Sequence, residues 1–206
     1  ENRSYRTTSI GGSPYGATVS VDTTPDRTVN FIINTDVAWT TGSPPDSVPQ
    51  IFLTTNGSIV ADELIGDMLV GHIHSTEDDV TLNSGALILD ADGNPTVDVS
   101  GVNITLNSGV VTGETPAPAD GGIGERHDFL EINVDRNDDN PAGILDAFDT
   151  NASNTHGGIY IDELNGDLTV GTVHTIEDVS LRTVGGSILD AEDDDHVGET
   201  DSALFA

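Results

Sequence analysis

The chain contains no cysteine and no lysine, and only 4% of its 206 residues are aromatic. Without cysteine, disulfide bonds cannot stabilise the fold. The six basic residues are all arginine and stand against 36 acidic residues, so the formal net charge is −30. Nucleic acids and anionic membrane surfaces bind clusters of Lys and Arg, so neither is expected as a partner. No apolar run approaches 18 residues, so membrane insertion is not expected either.

What the sequence does contain is an internal repeat. The stretch GDMLVGHIHSTEDDVTLNSGALILDA at 66–91 returns as GDLTVGTVHTIEDVSLRTVGGSILDA at 166–191, a hundred positions later. A second match joins SIGGSPYGATVSVD at 9–22 with GIGERHDFLEINVD at 122–135. The chain therefore consists of two copies of one unit, and the first copy carries about a dozen extra residues.

Two domains are predicted from these matches. The first unit covers residues 1–121 and the second covers residues 122–206. Proline-containing stretches near 36–50 and 112–121 interrupt the repeated motifs. We expect both to be loops that leave the regular wall of the first unit.

The repeat unit predicts strands rather than helices. Apolar residues alternate with small or acidic ones, as in ATVSVD at 17–22, which is typical of a strand with one buried face. Gly-Asp, Asn-Gly and Asn-Ser-Gly between the strands are turn signals. VTLNSG at 80–85 returns as ITLNSG at 104–109, and such short periods indicate a solenoid. We predict an all-β parallel β-solenoid (β-helix) with two units of about 100 residues and coils of about 20–24 residues; tandem immunoglobulin-like sandwiches are the alternative.

A family resemblance supports this interpretation. GGIYIDELNGDLTVGTV at 157–173 and GGSILDA at 185–191 are similar to the repetitive β-helical regions of giant bacterial surface and adhesin proteins of the filamentous-haemagglutinin type. The resemblance extends over most of residues 56–191. It implies a secreted, fibrous, non-enzymatic protein and supplies no catalytic residues.

Acidic turns are the candidate metal sites, with calcium as the expected ion. A calcium-loop pattern places oxygen side chains at its positions 1, 3, 5 and 12, which are Asp135, Asn137, Asp139 and Asp146. Two further clusters follow Leu-Asp-Ala in the two units: Asp90, Asp92 and Asn94 in the first, and Asp190, Glu192 and Asp194 in the second. Acidic turns that keep the protein soluble, or that suit a high-salt habitat, are the alternative interpretation.

Three glycosylation sequons begin at Asn56, Asn103 and Asn151. Modification at any of them would place the protein outside the cytoplasm. We accordingly expect an extracellular or cell-surface location.

These patterns favour a structural protein over an enzyme. The expected role is a segment or subunit of an extracellular fibre or surface adhesin, built by stacking β-solenoid repeats. Its expected partners are copies of itself joined end to end, or further repeats of the same chain. A calcium-dependent adhesion or matrix module is one alternative, and a polysaccharide-active β-helix enzyme is another.

Overall fold

A computed structural model describes residues 50–63, 66–110, 121–134, 142–150 and 157–191, together with the backbone of four more strands. It contains only strands, turns and bends in these parts of the chain, as predicted. The strands in chain order are β1 (Arg3–Arg6), β2 (Ala17–Ser20), β3 (Val29–Ile33), β4 (Ile51–Thr55), β5 (Ile59–Glu63), β6 (Met68–Ser75), β7 (Val80–Ser84), β8 (Leu87–Asp90), β9 (Val99–Ser100), β10 (Ile104–Ser108), β11 (Gly122–Ile123), β12 (Leu130–Asn133), β13 (Leu145–Asp149), β14 (Ile159–Glu163), β15 (Leu168–His174), β16 (Val179–Thr183), β17 (Ile188–Asp190) and β18 (Leu204–Phe205).

The described strands form two sheets of nine strands, and every pairing between strands is parallel. Sheet one has the order β1-β3-β5-β7-β10-β13-β15-β17, with β18 also paired to β15. Sheet two has the order β2-β4-β6-β8-β11-β14-β12-β9, with β16 also paired to β14. From β1 to β8 the chain alternates between the sheets at each strand. The predicted all-β, parallel character is therefore confirmed for the described residues.

The hydrophobic core lies between the two sheets. Alternate residues of a strand point to opposite faces. Along β5, β7 and β10, buried residues alternate strictly with half-buried ones, so the buried residues form the inner face. The strand register places similar side chains next to one another: Ile59 pairs with Val80, and Val80 pairs with Ile104. The core consists almost entirely of Ile, Leu and Val from successive strands. Such aliphatic columns supply most of the free energy that holds parallel sheets together.

Small polar side chains occupy the inward position where a strand ends and the backbone turns. Ser84 is fully buried at the end of β7, and its Oγ donates to the carbonyl oxygens of Gly66 (3.2 Å) and Leu87 (2.8 Å). Thr183 does the same at the end of β16 by donating to Gly166 O at 2.9 Å. A turn leaves backbone groups without a strand partner, so these hydroxyls satisfy them, in the interior at Ser84 and near the surface at Thr183.

The two sequence copies make the same strand pairings in opposite sheets. β5 pairs with β7 in sheet one, and its counterpart β14 pairs with β16 in sheet two. β6 and β8 lie in sheet two, whereas their counterparts β15 and β17 lie in sheet one. Even the turn glycines agree, since φ is 93° at Gly66 and 91° at Gly166. The repeated sequence therefore specifies a local pairing that is compatible with either sheet.

The sheets run without interruption across the predicted boundary between residues 121 and 122. β10, from the first unit, pairs with β13 from the second, and β8 pairs with β11 in the same way. The excursions predicted near 36–50 and 112–121 fall outside the described residues, apart from Gln50 and Gly121.

Equivalent core residues of the two units predict unequal stability losses. Ile88 is 0% exposed, whereas its counterpart Ile188 is 50% exposed. We expect Ile88→Ala to lower the free energy of unfolding by about 2–5 kcal/mol, and Ile188→Ala by about 1 kcal/mol or less. Chemical denaturation at low protein concentration measures both. Equal losses would mean that Ile188 is covered in solution.

A buried glutamate predicts a pH dependence of stability. Glu163 is fully buried, and its carboxylate accepts hydrogen bonds from Val134 N and Asn165 N, both at 2.8 Å. Burial raises the pKa of Glu163 to about 7, above its ordinary 4.5. The folded protein therefore holds this proton more tightly than the unfolded chain does. Protonation of Glu163 thus contributes to the free energy of unfolding; this contribution is complete below pH 4.5 and is lost as the pH rises through 7.

The variant Glu163→Gln should lack this pH dependence. Relative to the variant, the wild-type protein should lose about 2 kcal/mol of unfolding free energy between pH 5 and pH 8. Urea denaturation across that range measures the difference. A constant difference between the two proteins at all pH values would contradict the raised pKa.

Candidate metal centre

Three acidic residues from separate segments meet on the outer side of sheet two. Asp90 ends β8, Asp98 immediately precedes β9, and Glu131 is the second residue of β12. Each offers a carboxylate oxygen, and these three oxygens all lie within 4.8 Å of one another. We call this group the acidic triad.

Backbone hydrogen bonds hold the acidic triad in place. Asp98 N donates to Glu131 O at 2.8 Å, and Glu131 N returns a bond to Asp98 Oδ2 at 3.1 Å. On the other side, Ile73 N of β6 donates to Asp98 O at 2.6 Å. Asp98 is therefore held between β6 and β12, the two strands that also pair with β9.

The triad is largely removed from solvent, although its members are acids. Asp98 is 0% exposed and Glu131 is 9% exposed, while Asp90 is half-buried. One oxygen of each, Asp90 Oδ2, Asp98 Oδ1 and Glu131 Oε2, is buried and has no N–H or hydroxyl donor beside it, while the Asp98 and Glu131 side chains are close enough to share a proton. A buried charge without a partner is costly, so these oxygens require a proton or a cation.

Burial is the main cause of the shifted pKa values in the triad. It raises the pKa of Asp98 to about 9, and the negative charge of Asp90 adds to this effect. Burial likewise raises the pKa of Glu131 to about 7. The pKa of Asp90 is also raised by burial, against the hydrogen bond that it accepts from the Asp92 backbone. A bound cation would favour the ionised form of all three.

An acidic row across sheet two explains why the triad is short of positive charge. Parallel register places Glu131 beside Asp162, and Asp162 beside Arg182. Arg182 Nη2 donates to Asp162 Oδ2 at 2.8 Å, and its guanidinium lies 3.5 Å from the centroid of the Phe129 ring. This arginine therefore neutralises Asp162 and leaves Glu131 and Asp98 with no basic partner among the described ion pairs.

A tight turn after β8 forms one side of the site. Asp92 N donates to Asp90 Oδ1 at 2.9 Å, and Asn94 N donates to Asp92 Oδ1 at 3.0 Å. Gly93 has a φ of 63°, which favours glycine, and a Cβ built there would lie 3.8 Å from Asp128 Oδ1. Asn94 Oδ1 is also buried without a hydrogen-bond partner. Asn94 therefore shares this turn with Asp90, and Asp128, from the segment before β12, lies next to the turn.

Two histidines support the far end of this turn. His72 Nδ1 lies 3.1 Å from Val97 O, and His72 Nε2 lies 3.1 Å from His74 Nδ1. Both rings belong to β6, which pairs with β9, the strand that directly follows Asp98. Because His72 contacts the residue before Asp98, it positions that residue and engages both of its own ring nitrogens.

The residues predicted as metal ligands are distributed over several places. Asp90, Asp92 and Asn94 do share one turn, and of these Asp90 belongs to the triad. Asp146 lies on β13, and its Oδ1 accepts a hydrogen bond from Thr172 N at 2.7 Å. Asp190 lies exposed at the end of β17. The remaining predicted ligands lie outside the described residues: Asp135, Asn137, Asp139, Glu192 and Asp194.

Of the three predicted glycosylation acceptors, two are described. Asn103 Nδ2 donates to Asp79 Oδ1 at 2.8 Å, and its Oδ1 accepts from Ile144 N at 2.9 Å. Its side-chain amide therefore connects three segments of the fold. Asn56 lies half-buried in a bend, and Asn151 lies outside the described residues.

Asp98 and Glu131 were not predicted from the sequence as ligands. Each is a single acid between apolar residues, Val97 and Val99 in one case and Leu130 and Ile132 in the other. Alternation predicts that such an acid points outward to solvent. No local sequence signal marks them as ligands. Their proximity to the turn after β8 follows only from the strand pairings of sheet two.

Comparison of the chain with protein-family models, with curated proteins and with solved structures finds no match. None of the described residues forms a helix that is long and apolar enough to cross a membrane.

Replacement of the buried Asp98 carboxyl by an amide should stabilise the metal-free protein at alkaline pH. In chelator at pH 8, we expect Asp98→Asn to raise the free energy of unfolding by roughly 1–3 kcal/mol, because the amide removes the cost of a buried acid. At pH 4 most of the gain should vanish, because this pH is close to the ordinary pKa of 3.8 and the unfolded chain then also holds much of the proton. Urea denaturation at both pH values tests this, with the exposed Asp178→Asn as the matched control. An equal gain in both variants would contradict the prediction.

Proposed function

We propose that the chain is a structural segment of an extracellular fibre or surface adhesin, in which β-solenoid coils stack along one axis. The support comes from the way in which the chain returns repeatedly to each of its two parallel sheets, alternating strand by strand from β1 to β8. A chain that returns to the same sheet, in parallel, next to its previous strand completes one coil at each return. The adhesin resemblance of residues 56–191 agrees with this proposal but does not carry it.

Several strand partners are spaced as coils of about 20–24 residues require, whereas others, such as Val29 and Ile59 or Ala17 and Ile51, are 30 and 34 positions apart. Ile59 and Val80 are 21 positions apart, and Val80 and Ile104 are 24 positions apart. In the second unit, Ile159 and Val179 are 20 positions apart. The separation rises to 41 between Ile104 and Leu145, where the interval includes the predicted excursion at 112–121. β10 and β13 nevertheless pair in continuous register along all five residues.

The observation that carries the proposal is the open edge formed by β16 and β17. Their counterparts in the first unit, β7 and β8, are paired with a strand on both sides. In the described residues β16 pairs only with β14, and β17 pairs only with β15. The same edge exposes apolar side chains: Ile188 by 50%, Leu189 by 43% and Val184 by 68%.

The first unit shows what such an edge accepts. There β7 receives β10, whose residues Ile104 and Leu106 continue the apolar column, and β8 receives β11. Since the two units make the same pairings, the edge at β16 and β17 is suited to a further coil of the same kind. An unpaired parallel edge with exposed apolar residues favours such an addition.

Charge directs this assembly to the ends of the molecule. The chain has a formal net charge of −30, so the sides of neighbouring molecules repel one another. Strand pairing at the ends supplies directional hydrogen bonds and apolar contact that can exceed this repulsion when salt screens it. We therefore expect filaments that are one molecule wide.

The test uses two exposed residues of the open edge. In Val184→Lys/Leu189→Lys, two charges are placed where the next coil would pack. The control, Thr54→Lys/Thr172→Lys, adds the same charges at exposed positions on strands that are paired on both sides. Light scattering and electron microscopy are carried out over a range of protein and salt concentrations.

The wild-type protein and the control should form end-to-end assemblies with masses that are multiples of 21.5 kDa. The edge variant should remain a single molecule under the same conditions. Assemblies that form equally well in all three proteins would contradict a role for this edge. Single wild-type molecules at every concentration would contradict the stacking of separate copies.

A further inference from the structure

We propose that Asp90, Asp98 and Glu131 bind one calcium ion that joins three segments of sheet two. This inference rests on the geometry of the triad and does not depend on fibre assembly. It differs from the ligand set expected from the sequence, because two of its three carboxylates come from outside the turn that follows β8.

The spacing of the triad oxygens suits a single ion. Calcium binds oxygen ligands at about 2.3–2.6 Å, so two ligands on opposite sides of the ion lie about 4.6–5.2 Å apart. The three carboxylate oxygens lie within 4.8 Å of one another. These separations do not exceed the span across a single calcium ion.

The buried oxygens provide an observation that is independent of the clustering. Asp98 is fully buried and Glu131 is more than nine-tenths buried, yet Asp98 Oδ1 and Glu131 Oε2 have no N–H or hydroxyl donor beside them. Most buried polar atoms in proteins have a hydrogen-bond partner, so each exception calls for an explanation, such as an ion-binding role. Asp90 Oδ2 is a third buried oxygen of this kind, so a cation held by the triad would satisfy its buried carboxylates together.

The two arginines in the described ranges, Arg126 and Arg182, are engaged elsewhere. Among the described ion pairs, Arg182 binds Asp162 at 2.8 Å, and Arg126 lies 3.8 Å from Asp178. The chain has no lysine that could reach the site. The triad would otherwise have to keep protons on its buried oxygens, and a proton shared between Asp98 and Glu131 is the competing explanation.

The surrounding groups favour calcium over other divalent ions. All three triad ligands are carboxylates, and Asn94 Oδ1 is a further buried oxygen without a partner in the adjoining turn. Calcium takes six to eight oxygen ligands in flexible geometry, whereas magnesium requires a near-ideal octahedron and usually retains several waters. Transition metals prefer imidazole or thiolate. Here the ring nitrogens of His72 contact Val97 O and His74.

The ion would stabilise the fold by closing a long loop through space. Asp90 and Glu131 are 41 positions apart in the chain, and Asp98 lies between them. Binding that occurs only in the folded protein raises its stability in proportion to the logarithm of the free calcium concentration. We therefore expect the midpoint of thermal unfolding to rise as calcium is added to chelated protein.

The experiment compares the full chain with two matched double variants. Asp98→Asn/Glu131→Gln removes two triad charges with little change in side-chain size. Glu177→Gln/Asp178→Asn removes the same two charge types at exposed positions outside the triad. Calcium binding is measured by isothermal titration calorimetry after removal of metals with a chelator, and thermal unfolding is followed with and without calcium.

The wild-type protein and the control should bind one calcium ion more per chain than the triad variant. Their unfolding midpoints should rise with calcium by several degrees more than that of the triad variant. Comparing numbers of bound ions separates this site from any calcium held by other acidic turns. If the triad variant does not fold, Asp90→Asn at the half-buried member of the triad should lower calcium affinity at least tenfold.

Three results would overturn the proposal. The first is an equal number of calcium ions bound by a folded triad variant and by the wild-type protein. The second is an absence of calcium binding by the wild-type protein at millimolar concentration, which would favour the shared proton. The third is equal binding of magnesium at this site, which would refute the choice of calcium.

Discussion

Parallel, in-register pairing between successive strands is the constraint on which the rest of this structure depends. Each strand must present to the next one the surface that it receives from the previous one, so like side chains become neighbours along the sheet. Inside the molecule this produces aliphatic columns such as Ile59, Val80 and Ile104. It also explains why two sequence copies can occupy opposite sheets, because the pairing is specified locally and both sheets present the same kind of inner face.

The same constraint has an electrostatic consequence on the outer faces. Register that aligns apolar residues inside also aligns acids outside, and a chain with 36 acidic and six basic residues cannot alternate their signs. Where Arg182 is available, it neutralises Asp162. Farther along the same row, Glu131 and Asp98 become buried beside Asp90 without such a partner. In-register strand pairing therefore accounts both for the stacking of apolar residues inside and for the grouping of buried carboxylates that a cation would neutralise.

Much of the fold could be predicted from the sequence because its signals are local. Alternation along VTLNSG and ITLNSG predicts strands β7 and β10, and their near-identical sequences predict that they pair, as they do. The turn residues Gly66 and Gly166 mark equivalent corners. The exchange of sheets between the units could not be predicted in this way. A two-residue period states which side chains face inward but not which of two similar sheets a strand joins.

By itself, the sequence determined the all-β character, the strand positions and the repeated pairing, because each depends on residues close together in the chain. Only the tertiary structure decided the membership of the acidic triad. Asp90 follows its strand in a recognisable acidic turn, whereas Asp98 and Glu131 look like ordinary outward residues of short strands. Their burial arises because β9 lies between β6 and β12, a contact between segments up to about 60 positions apart. Such long-range contact has no counterpart in the local pattern of either strand.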